Sequence, residues 1–196
     1  MAIELMNDKK ILNLGCGEEK KTDCINIDNN PLAQPDILHN LNSFPYPFAE
    51  SSINEIRAFH LLEHLSDPFG AMKEFHRILK PGGRLWLKVP HFSRGLTHAQ
   101  HEHGFDVSFP LYFNAGFTKS GYTGVEFELK KIKLRWLAFF HLLKYMGIGA
   151  ITKYILKFFN VIISFLANLS PACASRIWCF WVGGFDEIEM EFICKK

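Results

Sequence analysis

Gly15 and Gly17 bracket Cys16 in Leu12-Asn13-Leu14-Gly15-Cys16-Gly17, directly after a short apolar run, and Asp28 closes the next such run. Glycines at the carboxyl end of a first strand let backbone approach a ligand closely, and open α/β sheets bind nucleotides at that end. A carboxylate at the end of the second strand is placed to accept both hydroxyls of a ribose. Each piece also has a plainer reading: Gly-x-Gly as a tight turn, and Asp28 with Asn29 and Asn30 as an Asx-turn. Their succession at two strand ends favours the ribose.

Histidines supply the other candidate chemistry. His60 and His64 flank Glu63, a trio that either serves a site or braces the helix after it. His91, His98, His101 and His103 crowd one loop and are candidate general bases. His98-x-x-His101-x-His103 has a spacing that could hold a metal. No Cys or carboxylate partner is evident beside it, and no metal is expected.

Positioning these residues requires a sheet, and the hydrophobic pattern supplies one. Lys10–Leu14, Cys24–Asp28, Ile37–Leu41, Ile53–Phe59 and Arg84–Val89 read as short strands. Asp67–Leu79 has helical spacing, with Phe69, Met72, Phe75, Ile78 and Leu79 on one face. Asp67 is its N-cap, Pro68 its first turn, and Pro81-Gly82-Gly83 its stop. Val125–Arg135 and Phe185–Cys194 alternate as two further strands, the last one antiparallel. The fold class is therefore α/β: a Rossmann-like, doubly wound, mostly parallel sheet with an antiparallel last strand and a helical insert before it.

With 196 residues the chain fits a single domain over 1–196, with an aromatic insert at 136–181. Hydrophobic residues make up 48% and charged residues 21%, the balance of a globular protein. A net charge of +2, with no basic run interleaved with aromatics, argues against a nucleic-acid partner. The five cysteines form no Cys-x-x-Cys pair, which points to reduced thiols and a cytoplasmic location. Met1–Lys10 carries no apolar stretch, so a secretory signal is not expected.

From Ile11 to His91 the chain resembles the class I S-adenosylmethionine-dependent methyltransferases of the type 11 group. The likeness runs through Gly15-Cys16-Gly17, Asp28, and Leu41 before Phe44-Pro45-Tyr46-Pro47-Phe48. It continues through Glu50-Ser51-Ser52-Ile53-Asn54-Glu55-Ile56, His60-Leu61-Leu62-Glu63-His64 and Arg77-Ile78-Leu79-Lys80-Pro81-Gly82-Gly83. It implies S-adenosylmethionine as cofactor. Asn13, Gly15, Cys16 and Gly17 would lie along its methionine and ribose, and Asp28 would hold the ribose diol. Asn40 and Leu41 would meet adenine, and His60 would face the methionine end. The loop after the fifth strand would close over the acceptor, with His101 matching the family's loop histidine and His91 a second candidate catalytic residue. The tail Trp178–Phe192 is similar to the ends of polysaccharide-cluster and lipid-linked members, which makes a small or lipid-linked molecule the implied acceptor.

Several positions depart from the family pattern. Asn13, Asn40 and Asn54 stand where acids are usual, and Glu19 replaces a further glycine. Amides still hydrogen-bond but lose the charge-assisted part. Glu18–Asp23 is too short for a crossover helix, so the first helix is reduced to a turn. These departures motivate a second reading, a non-catalytic Rossmann-like binding or scaffold protein. Amino-group DNA methyltransferases and Pro-Cys nucleophile enzymes are disfavoured because neither run follows the fourth strand. A nicotinamide oxidoreductase is disfavoured by the missing third glycine.

Between Trp136 and Leu169 the formal charges are Lys144, Lys153 and Lys157, set among Trp and Phe. The pattern suggests two helical stretches broken near Gly147-Ile148-Gly149. Asn160, Ser164, Asn168, Ser170 and Pro171 make the second too polar and broken for a membrane span. A basic, aromatic pair of helices suits an anchor lying on the inner face of a membrane; a lid or dimer face uses the same residues.

Overall fold

The computed structural model describes residues 11–117 and 121–196. Its strands are β1 Ile11–Leu14, β2 Ile25–Asp28, β3 Ile37–Leu38, β4 Ile53–Phe59, β5 Leu79–Pro90, β6 Glu126–Arg135 and β7 Glu187–Lys195. They form one seven-stranded sheet in the order β3-β2-β1-β4-β5-β7-β6. β1 to β5 pair in parallel. β7 is antiparallel to both β5 and β6, so it alone is reversed. Lys10, the first residue of the expected strand, lies outside the described residues.

β1 and β2 are buried along nearly their whole length, whereas β4 and β5 alternate, burying one face and leaving Arg57, Trp86 and Lys88 half-buried on the other. Leu12, Leu14, Ile27, Ile56, Leu85 and Leu87 make the middle of the core. α1, Pro68–Ile78, crosses from β4 to β5 and lays Ala71, Met72, Phe75 and Ile78 into that core. The Asp67 carboxylate caps it, accepting from Gly70 N–H at 2.8 Å. Phe69, expected on the same face, turns instead to a cluster with Phe109, Tyr112 and Phe113.

The β1–β2 connection is a chain of turns, as its length requires. Ile37–Leu41 yields only the two-residue β3, because Asn40 turns the chain: its Oδ1 accepts from Asn42 N–H and its carbonyl from Ser43 N–H. β5 starts before Arg84. A register shift between Ile53 and Glu55 absorbs Lys80-Pro81-Gly82-Gly83, with Gly82 at φ +76°.

The insert corrects the expected pair of helices. After β5 come α2, Phe92–Gly95, and a long loop; after β6 the chain from Trp136 to His141 is irregular and Leu142–Lys144 is a single 3₁₀ turn. Its backbone donors go to side chains rather than to a helix ladder: Trp136 N–H to Ser164 Oγ, Leu137 N–H to Asn160 Oδ1, Ala138 N–H to Asp186 Oδ2. α3, Ala150–Leu169, is one unbroken helix, followed by α4, Pro171–Arg176. By length and composition α3 is long and apolar enough to cross a membrane. Three of the polar residues that suggested a break, Asn160, Ser164 and Asn168, recur at i, i+4 and i+8 and face the protein. Asn168 clamps Leu134, accepting from its N–H at 2.9 Å and donating to its carbonyl at 2.8 Å. The polar stripe of α3 is its inner face, and the apolar side faces out.

Candidate active site

The strand order reverses between β1 and β4, and in open α/β sheets the ligand crevice opens at the carboxyl ends on either side of such a point. β1 delivers Gly15 there, β2 delivers Asp28, and β4 delivers His60. Gly15 and Cys16 both donate N–H to the Ile27 carbonyl, at 2.8 and 3.1 Å. Gly17 N–H, one residue on, reaches Asp28 Oδ2 at 2.8 Å. Asp28 Oδ1 accepts from Asn30 N–H, so Asp28 also forms the Asx-type turn considered from sequence. The two readings coexist: the turn holds the carboxylate while leaving its remaining lone pairs toward the cleft.

That cleft has a volume of about 310 Å³ and is lined by Gly15, Asp28, Asn40, Leu41, His60 and Leu61, among others. The structure thus brings together five of the eight cofactor contacts inferred from sequence. Gly17 stands beside them through Asp28. Asn13 and Cys16 do not reach the cleft. The Asn13 amide donates to Asn26 Oδ1 at 3.0 Å and to the Glu19 carbonyl at 3.1 Å, bracing the turn that replaces the first helix. Cys16 is buried, and burial followed by the Asp28 charge pushes its thiol pKa up.

Gly15 adopts φ +66°, and a Cβ there would come within 2.9 Å of Leu61 Cδ1. Gly15→Ala is therefore expected to destabilise the fold by about 1–2 kcal/mol through its left-handed backbone alone. Thermal or urea unfolding checks this; an unchanged midpoint would mean the loop relaxes freely.

His60 ends β4 at φ +52°. Its Nε2–H donates to Glu187 Oε2 at 2.7 Å, and Nδ1 lies 3.3 Å from Glu63 Oε1. Burial works against the charged ring, but the two carboxylates outweigh it and raise the pKa to about 9. At neutral pH His60 is a fixed imidazolium whose charge is taken up by Glu187 and Glu63, and it is unsuited to accept a proton.

A second cleft of about 740 Å³ opens from the first, sharing His60, His64 and Gln100 with it. Its polar wall includes Glu63, Arg94 and His101, and its apolar wall comes from the insert, through Phe139, Leu142 and Met146. Arg94 ties the insert to the sheet, donating to the Gly183 and Trp136 carbonyls and pairing with Asp186 at 2.8 Å. His101 lines this cleft. Its Nδ1 is 2.7 Å from the Gly95 carbonyl, which places the proton on Nδ1 and leaves the Nε2 lone pair open. Burial depresses its pKa.

His91 is placed differently from the catalytic role inferred for it. It is fully buried and lines neither cleft, and both ring nitrogens are engaged: Nε2 with Ser175 Oγ at 2.8 Å and Nδ1 with Ser93 Oγ at 2.7 Å. It pins α2 to α4. Glu63, Arg94, Asp186 and Glu187 were not singled out as site residues from sequence. Only Glu63 left a signal there, in its position between two histidines.

Comparisons with known proteins agree with the fold. Residues 12–87 match the type 11 family model of the methyltransferase domain. The YcgJ protein of Bacillus subtilis has a similar structure, with a TM-score of 0.54 at 17% identity over 100% of this chain and 98% of that one. A candidate sarcosine dimethylglycine methyltransferase from Galdieria sulphuraria gives 0.57 at 16% identity, over 99% and 82%. A coclaurine N-methyltransferase bound to N-methylheliamine and S-adenosylhomocysteine gives 0.53 at 14%, over 98% and 70%. No curated protein sequence matches the chain.

A Rossmann-like sheet with a nucleotide cleft at its switch point and this family match define a class I S-adenosylmethionine-dependent methyltransferase. Within that class, the stretch from residue 12 to residue 87 is similar to the methyltransferase domain of the type 11 group.

Proposed function

We propose that this methyltransferase acts on a lipid-linked acceptor at a membrane surface, with α3 lying in the headgroup plane. The observation that supports this reading is the inverted polarity of α3. Asn160, Ser164 and Asn168 hydrogen-bond inward, while Ile151, Ile155, Phe158, Phe165 and Leu169 are exposed. A water-facing helix has the opposite arrangement. Leu142 and Met146, exposed on the same insert, also line the acceptor cleft, so an apolar tail held at the bilayer would lead its headgroup to the site.

The first cleft fits the cofactor. Asp28 is set to hold the ribose diol, Asn40 and Leu41 to flank adenine, and His60 to face the methionine end. S-adenosylmethionine supplies a sulfonium methyl for in-line displacement. The protein's part is to hold the acceptor near that methyl and exclude water, which provides much of the rate. His101, with its Nε2 lone pair open, lines the cleft in which the acceptor would sit.

Co-sedimentation with anionic and neutral vesicles tests the membrane reading. Lys144 and Lys157 are exposed, whereas Lys153 lies on the half-buried stripe. Each exposed Lys near an anionic surface contributes about 1 kcal/mol. Replacing both by Gln is expected to weaken binding to anionic vesicles somewhat more than tenfold, at about 1.4 kcal/mol per decade. Added salt should reduce the difference. Absence of vesicle binding, with mass that grows with concentration, would make α3 a dimer face and the acceptor a soluble small molecule.

A further inference from the structure

We propose that Glu63, His64 and His101 form a binding site for one divalent transition-metal ion, of the Zn2+ or Fe2+ class, in the wall of the acceptor cleft. The three residues come from two segments. Glu63 and His64 sit in the 3₁₀ turn after β4, and His101 sits in the loop after α2. One ligand atom from each lies within 4.8 Å of the others. Metal–ligand bonds of about 2.0–2.2 Å set neighbouring ligand atoms roughly 3–4 Å apart, so side-chain movements of about 1 Å would close the set.

Two independent features point to a cation. The first is Glu63 itself, which is fully buried and whose carboxylate oxygens accept no hydrogen bond. Oε1 has the ionic approach of His60 at 3.3 Å, and Oε2 has no such neighbour. A buried carboxylate left in that condition is costly, and a coordinated ion removes the cost. The second is the orientation of the imidazoles. His64 Nδ1 is held by the Gln100 carbonyl at 3.1 Å, and His101 Nδ1 by the Gly95 carbonyl at 2.7 Å. A backbone carbonyl on Nδ1 fixes the tautomer with the lone pair on Nε2, the outer-shell arrangement that metal-bound histidines use. The two rings are edge to face with centroids 4.9 Å apart.

The donor set decides the class of ion. Two imidazoles and one carboxylate suit zinc or ferrous iron better than the all-oxygen preference of calcium or magnesium. Three protein ligands leave positions open toward the cleft, where His64 lines both the cofactor and the acceptor spaces. His98 stacks on His101 at 4.4 Å but accepts Gln100 N–H on Nδ1, so it stands as a neighbour rather than a fourth ligand. His103 lines a different cleft. The carboxylate partner that the histidine-rich loop lacks in sequence is therefore supplied in space by Glu63. An ion here would polarise an acceptor oxygen beside the methyl donor; this use rests on the acceptor reading proposed above, while ion binding does not.

The full chain, stripped with chelator and titrated with Zn2+ or Co2+, is expected to retain one ion per chain, with a Co2+ absorption band in the visible. His64→Ala, at an exposed position, and His101→Ala, at a half-buried one, each checked for folding by circular dichroism, should bind at least about tenfold more weakly, since losing a ligand costs no less than losing its support. Failure of the wild type to retain Zn2+ or Co2+ overturns the site, as does wild-type affinity in both variants; His101 acting only as a base predicts that result. Vesicle binding is measured on the same samples. Its loss with the ion retained would sink the membrane reading and leave the metal site standing.

Discussion

Asp28→Ala is expected to weaken S-adenosylmethionine binding by roughly 1.5–3 kcal/mol, the range for a lost hydrogen bond to a charged group. That corresponds to a tenfold to more than hundredfold rise in dissociation constant by isothermal titration. The carboxylate has two tasks that the variants separate. One is to hold the loop, through Gly17 N–H and Asn30 N–H at 2.8 Å each. The other is to accept the ribose hydroxyls. Asp28→Asn keeps one acceptor oxygen without the charge, so it should fall between the wild type and Asp28→Ala. S-adenosylhomocysteine should lose affinity in parallel, because the ribose is the same in both ligands. Unchanged affinity in a folded Asp28→Ala protein would remove the ribose from this strand end.

The sheet and its switch point were legible because burial leaves a trace in the strands, as the short, mostly apolar run of β1 and the alternation of β4 show. Asp28, Asn40, Leu41 and His60 were legible because strand ends are located by those runs and the family pattern orders them. Asn13 misled for a local reason: it adjoins the glycines, but successive residues of a strand point to opposite faces, and its amide serves the β1–β2 turn. The wall of the second cleft was illegible because it is assembled from distant segments. Glu187 and Asp186 stand near the end of the chain and reach His60 and Arg94 across the sheet only through the β5–β7 pairing. α3 was misread because Asn160, Ser164 and Asn168 look like solvent-facing residues until their partners, the backbone donors of Leu137, Trp136 and Leu134, are known.

Lowering the pH from about 6.5 toward 4 is expected to strip up to about 3 kcal/mol of stability that His91 contributes at neutrality. Its folded pKa is lowered to about 4, first by burial and further by the charge of Arg94, with Asp106 opposing. The hydrogen bonds agree with a neutral ring. Nδ1 accepts from Ser93, whose hydroxyl oxygen accepts Phe185 N–H, which leaves the ring proton on Nε2 toward Ser175 Oγ. A second proton on Nδ1 would displace the Ser93 donors in a pocket that water does not reach. The unfolded chain takes up that proton near pH 6.5, so between the two values it binds more protons than the fold, and stability rises with pH across the window. His60 acts in the opposite sense: its raised pKa supports the fold at low pH and withdraws that support as pH climbs toward 9. The two are separated by comparing urea unfolding of the wild type and His91→Gln from pH 4 to pH 7. The variant should be less stable at neutrality, and its stability should fall less steeply with acid. Equal slopes in the two proteins would mean that His91 takes up its proton at the same pH in the fold as in the unfolded chain, and the Ser93–His91–Ser175 pin would have to accommodate a charged ring in acid.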